Sequence, residues 1–205
     1  VLIPTLAGEK DIIISDSLNH ASIIDACRLT GSKVARKVYG HSDMTQLKAL
    51  LEESMGFDNR FIITDGVFSM EGDVARLPEI VELAKKYNAV IVMDDSHATG
   101  VIGKTGAGTA EYFGLEKEVD IITSTLGKAL GGAAGGFVAG SSVLIDYLFQ
   151  KSRPMLFSNA LPPTVASSAL EAIRVLRREP ERVAKIKENA SYFRAKLKEM
   201  GYKPH

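Results

Sequence analysis

The chain has 205 residues, 45% hydrophobic and 24% charged, enough for one well-packed domain or slightly more. Its 25 basic and 25 acidic residues cancel with no long run of either sign, so neither a nucleic acid nor a membrane surface is an expected partner. The single cysteine, Cys27, excludes an internal disulfide, no apolar run reaches the roughly 20 residues of a membrane span, and a reducing cytoplasm is the expected compartment.

In chain order, Val1–Gly8 reads as the tail of a helix entering a turn, with no initiating Met and no signal-peptide pattern. Ile12–Ser15 opens with a continuous apolar run, as a strand buried on both faces requires. A helix over His20–Thr30 follows, with Asn19 as its expected N-cap and Cys27 on its apolar side, where it reads as core. Val34–Tyr39 is the next strand, and Asp43 is placed to cap a helix over Met44–Ser54. Arg60–Thr64, another buried strand, leads to a helix over Leu77–Tyr87 with Pro78 in its first turn and Leu77, Ile80, Val81 and Ala84 on one face. Three further strand-like segments are Ala89–Asp94, Asp120–Ser124 and Gly136–Ala139. Beyond Pro162-Pro163, two long amphipathic helices, Thr164–Arg178 and Glu181–Met200, flank Glu179-Pro180. His41 and His205 read as surface residues.

Strand–helix–strand alternation predicts an α/β fold: a three-layer α/β/α arrangement on a mostly parallel sheet. Residues 1–160 form the expected major domain, incomplete at its N-terminal side. Residues 161–205 are the expected lead into a second, smaller C-terminal domain, also incomplete. Both ends look cut, as in a piece of a longer protein. Ligands of such sheets bind beyond the carboxyl ends of the strands, where Asp65, Asp94 and the Thr125 turn fall.

Three features converge on that edge. Asp94 ends an apolar strand in Asp94-Asp95-Ser96-His97, where a buried carboxylate needs a partner; Asp95 beside it reads as structural. Lys128 lies among small residues in Thr125-Leu126-Gly127-Lys128-Ala129-Leu130-Gly131-Gly132, where burial is expected to favour a nucleophilic amine. His20 opens a helix after the first strand. Pyridoxal phosphate (PLP) chemistry calls for such a set: a lysine to form an imine, a carboxylate against the pyridine nitrogen, a flat group over the ring, and hydroxyls and amides for the phosphate. No metal site is expected.

Asn19-His20-Ala21-Ser22-Ile23-Ile24-Asp25, Thr64-Asp65-Gly66-Val67-Phe68-Ser69-Met70-Glu71-Gly72-Asp73, Asp94-Asp95-Ser96-His97, Thr125-Leu126-Gly127-Lys128 and Ser152-Arg153-Pro154-Met155-Leu156-Phe157-Ser158-Asn159 together resemble the α-oxoamine synthases. These fold-type I PLP enzymes join an amino acid to an acyl-CoA, and the likeness spans essentially the whole chain. It implies a PLP-binding major domain in which Lys128 holds the cofactor and later shuttles the α-proton. By the same resemblance Asp94 pairs with the pyridine nitrogen, His97 bonds the phenolic oxygen, and Ser69 lies near that oxygen or the substrate carboxylate. His20 stacks on the ring, Thr125 holds the phosphate, and Ser158 and Asn159 reach the phosphate of a neighbouring subunit's cofactor, so a homodimer is expected. The glycine-containing turn on the far side of the phosphate, and the arginine that grips the substrate carboxylate, are expected outside this chain.

Within the family the motifs look closest to the glycine C-acetyltransferase branch, which condenses glycine with acetyl-CoA to 2-amino-3-ketobutyrate. The alternative is the 8-amino-7-oxononanoate synthase branch, which uses alanine and a pimeloyl thioester. Two readings outside the family are weaker. Val90–Asp95 and Gly103-Lys104-Thr105 imitate a nucleotide hydrolase, but Ala98 stands where a phosphate loop needs glycine and the order is reversed. A catalytically silent scaffold fragment is at odds with an intact Lys128, Asp94 and His97.

Overall fold

The computed structural model describes residues 2–132 and 134–203, so His205 and Ala133 of the glycine run lie outside the described residues. Six strands form one sheet: β1 (Ile12–Asp16), β2 (Ala35–Tyr39), β3 (Arg60–Asp65), β4 (Val90–Asp94), β5 (Ile121–Thr125) and β6 (Gly136–Gly140). Their order is β2-β1-β3-β4-β5-β6. Every neighbouring pair is parallel except β5 and β6, which run antiparallel with Thr125 opposite Gly136. The register sets Asp65 beside Asp94, and Asp94 beside Thr123, along one carboxyl edge.

The apolar runs of the central strands bury both faces, as parallel pairing under helices demands. Ile12, Ile14, Ile62, Ile91 and Met93 point to one side, packed with α3 (Met44–Glu53) and α4 (Leu77–Tyr87) through Leu47, Leu51, Leu77, Ile80, Val81 and Ala84. Ile13, Phe61, Ile63, Val92 and Ile121 point to the other, with Ile3 of α1 (Leu2–Leu6) and Ile23 and Cys27 of α2 (Ala21–Arg28). Cys27 is thus core, and burial raises its thiol pKa above the ordinary value.

Local signals explain most boundaries. The Asp43 carboxylate caps α3 by accepting from the Gln46 amide at 2.9 Å, and Pro78 occupies the first turn of α4. Asn19 is a correction: His20, not Asn19, caps α2, its ring nitrogen accepting from the Ser22 amide. Three helices follow no amphipathic pattern seen in the sequence: α5 (Thr109–Phe113), α6 (Ser142–Lys151) and α7 (Arg153–Phe157). The long helices α8 (Pro163–Arg178) and α9 (Glu181–Glu199) bury Ala169 and Val183, and Lys187 donates to the Gly103 carbonyl at 2.8 Å. Among the described residues no helix is long and apolar enough to cross a membrane.

Candidate functional site

Two strand ends and the turns that leave them build the site. Asp94 closes β4 half-buried; its Oδ2 accepts from the Thr123 hydroxyl of β5 at 2.7 Å and its Oδ1 from the Ser96 amide at 2.9 Å. The carboxylate is therefore oriented by the neighbouring strand and by its own turn, which meets the need for partners. Four residues beyond Met93, His97 reaches the turn after β5, where Lys128 Nζ lies 2.8 Å from His97 Nε2. Whenever the lysine donates across that contact, Nε2 must be bare. Burial lowers the His97 pKa, and the charges of Lys128 and then His20 lower it further against the pull of Asp94.

Lys128 itself departs from expectation: it is exposed rather than buried. A turn of small residues ends at the surface of the sheet edge, so contact with His97, not desolvation, is what distinguishes this lysine. Thr125 ends β5 half-buried; its hydroxyl bonds the Gly135 carbonyl at 3.2 Å and receives the Gly127 amide at 3.3 Å. His20 is exposed at the start of α2, with Nδ1 2.8 Å from the Ser22 hydroxyl. The structure thus brings Lys128, His97, Asp94, His20 and Thr125 to one edge. Ser69 is exposed on the turn after β3, and Ser158 and Asn159 are exposed after α7; none of the three is hydrogen-bonded to that group.

Beneath this edge lies support that motif spacing did not reveal. Asn19, 4% exposed, donates to the Ser15 hydroxyl at 2.9 Å and the Ile63 carbonyl at 2.8 Å, and accepts the Asp65 amide at 2.8 Å. It stitches β1 to β3 immediately before His20. Asp65 in turn accepts the His20 amide at 2.7 Å. Burial, with Asp94 adding to it and Lys128 opposing, pushes the Asp65 pKa up to about 7 even though the His20 amide favours the carboxylate. Asp95 is fully buried; its Oδ2 accepts the Thr109 amide at 2.8 Å, and a Cβ at Gly66 or Gly108 would collide with its carboxylate. That packing fits the structural part expected of it. Glu111, likewise unanticipated, gathers the Thr105 amide and hydroxyl and the Ala107 amide, fixing the loop after His97.

His41 is the clearest correction. It is not a free surface residue: Nδ1 lies 3.1 Å from Asp16 Oδ1 and Nε2 lies 2.7 Å from Asp73 Oδ2, with the side chain 22% exposed.

An amine, a fixed carboxylate, two imidazoles and a hydroxyl-bearing turn are the donor set that PLP requires, so the residues present fit that group. Chain comparisons agree. A family model for aminotransferase class I and II matches residues 1–205, and the chain belongs to that family. It is 52% identical over 200 residues to 8-amino-7-oxononanoate synthase 1 of Bacillus velezensis, covering 98% of this chain and 50% of that protein. The Symbiobacterium thermophilum 8-amino-7-oxononanoate synthase is 50% identical over 202 residues, with 98% and 51% coverage. Among solved structures, a serine palmitoyltransferase from Sphingomonas wittichii superposes with a TM-score of 0.91 at 34% identity, over 98% of this chain and 50% of the other. A Francisella tularensis 8-amino-7-oxononanoate synthase gives a TM-score of 0.82 at 28% identity, over 99% and 58%. These relatives are α-oxoamine synthases of the fold-type I PLP class, the group the sequence motifs resemble. The chain spans about half the length of the curated relatives it matches.

Proposed function

We propose that this chain is the cofactor-binding part of a PLP-dependent acyltransferase that condenses an amino acid with an acyl thioester, and that the reaction is the 8-amino-7-oxononanoate synthase one, alanine with a pimeloyl thioester. The observation that carries it is the Lys128–His97 contact of 2.8 Å at the sheet edge that also holds Asp94. The 50–52% identity to relatives of that name favours alanine over the glycine and acetyl-CoA pair suggested by the motifs.

When bound, PLP supplies an electron sink for the pair of electrons left at the substrate α-carbon. In this reading Lys128 Nζ anchors the cofactor and serves as the base at the α-carbon. His97, kept neutral by its lowered pKa, offers Nε2 as acceptor to that nitrogen. Asp94 holds a proton on the ring nitrogen, and Thr123 and Ser96 keep its carboxylate aimed. His20 covers the ring, Thr125 holds the phosphate, and Ser69 serves the phenolic oxygen or the substrate carboxylate. Ser158 and Asn159 reach a partner subunit's phosphate in a cytoplasmic homodimer; exposed Leu156 and Phe157 just before them support a partner surface there. Residues 161–205 lead toward a second domain.

The experiment compares kcat/KM of the full-length enzyme for alanine with pimeloyl-CoA and for glycine with acetyl-CoA. The first pair should win. One methylene is worth only about 1–3 kcal/mol in an apolar pocket, so some glycine turnover is compatible with the proposal. A clear preference for glycine and acetyl-CoA would return the reaction to the other branch.

A further inference from the structure

Ser69 rides on a short hairpin that leaves the carboxyl edge directly after Asp65. Gly66 donates to the Asp94 carbonyl at 2.8 Å, and Val67 bridges Val74 in antiparallel fashion. Within it the Phe68 amide donates to the Asp73 carbonyl at 3.0 Å and the Gly72 amide to the Phe68 carbonyl at 2.8 Å. Ser69, Met70, Glu71 and Gly72 are all exposed, so the tip has few contacts of its own. Its root is held from the side by His41. That ring stands edge-on to buried Phe68 with centroids 4.4 Å apart, and both of its nitrogens face carboxylates. Only an imidazolium can donate to both at once.

The bridge is built on both flanks. Asp16, 3% exposed at the end of β1, also accepts the Leu18 amide at 2.9 Å and the Ser42 amide at 2.9 Å. Ser42 holds a φ of 54°, a left-handed conformation that a serine keeps only where its surroundings dictate it. Arg76, just past the hairpin, donates to the Ser42 carbonyl at 3.3 Å. Burial alone would pull the His41 pKa down, but the bonds to Asp73 and Asp16 and their charges outweigh it and leave the pKa raised.

We propose that His41 is a positioning residue: bridging Asp16 and Asp73, it clamps the hairpin of residues 67–74 to the end of β1 and so sets Ser69 for the amino-acid substrate. This rests on the function proposed above for Ser69. His41 makes no hydrogen bond to Ser69 or to any of the residues proposed to hold the cofactor, so its effect on Ser69 passes through the hairpin.

The test uses the full-length holoenzyme and the variants His41→Gln, Asp73→Asn, Ser69→Ala and the double variant H41Q/S69A. Hydrogen exchange at the Phe68 and Gly72 amides should quicken about tenfold in H41Q and in D73N, because the clamp is gone. KM for the amino acid should rise about tenfold with kcat within about twofold, and visible cofactor absorbance should be retained. Adding S69A to H41Q should raise KM no further, since both changes remove one effect. Unchanged exchange, or KM increases that multiply in the double variant, would overturn the clamp. D73N carries the same comparison where H41Q does not fold. Exchange needs no turnover, so an enzyme inert toward every amino acid and acyl thioester would sink the proposed reaction while exchange still decided the clamp.

Discussion

Asp65 offers a quantitative test of the site's electrostatics, through Asp65→Asn in the cofactor-free enzyme. The carboxylate is 3% exposed and its pKa is raised from 3.8 to about 7, chiefly by burial. A folded-state pKa above the unfolded one means that the folded chain holds the proton more tightly. The resulting stability is fully present below about pH 4, declines as pH rises, and is lost through about pH 7. At 1.36 kcal/mol per unit, the whole loss is about 4 kcal/mol, more than half of it between pH 5 and pH 8. Asparagine has nearly the same shape, keeps an oxygen for the His20 amide and cannot ionise. The variant should therefore exceed the wild type in stability by about 2 kcal/mol at pH 5 and by about 4 kcal/mol at pH 8. Urea denaturation at the two pH values, with unchanged m, measures the difference directly. An excess equal at both pH values would refute the claim that Asp65 resists ionisation in the fold.

Two further outcomes follow from hydrogen bonds at the same edge. Asn19→Ala removes three buried bonds and strands the Asp65 amide and the Ile63 carbonyl, so it should cost about 3 kcal/mol in a denaturation midpoint; a loss under about 1 kcal/mol would contradict the stitching role. Asp94→Asn should leave cofactor bound but slow α-proton exchange of the amino acid by about 100-fold, because the ring nitrogen loses its carboxylate; full exchange activity, followed by loss of deuterium from labelled substrate, would refute that assignment.

Much of the scaffold was legible because its signals are local. The run of three isoleucines from Ile12 and the stretch from Val90 to Met93 read as strands buried on two faces, and the structure ends them at Asp16 and Asp94. Asp43 and Pro78 mark helix starts by mechanisms that act within one turn. Strand direction carries no such mark: Gly136–Ala139 reads as a strand, but nothing in it tells that it runs antiparallel to β5. Helix α6 escaped because its residues form no stripe, with Val143 and Phe149 exposed on a sequence that is apolar nearly all round. His41 looked like surface because its partners Asp16 and Asp73 stand 25 and 32 residues away, a distance only the fold closes. Motifs in register point to Lys128, Asp94 and His97, yet the 2.8 Å contact between Lys128 and His97, and the exposure of the lysine, arise only from the fold.

In the function proposed above, Lys128 is the amine that binds PLP covalently. Borohydride reduction of the full-length holoenzyme, followed by proteolysis and mass mapping, should place the pyridoxyl adduct on the peptide containing Lys128 and nowhere else. Lys128→Ala should then show no adduct. A tag on any other lysine, or an adduct that survives in the Lys128→Ala protein, would rule out that role for Lys128.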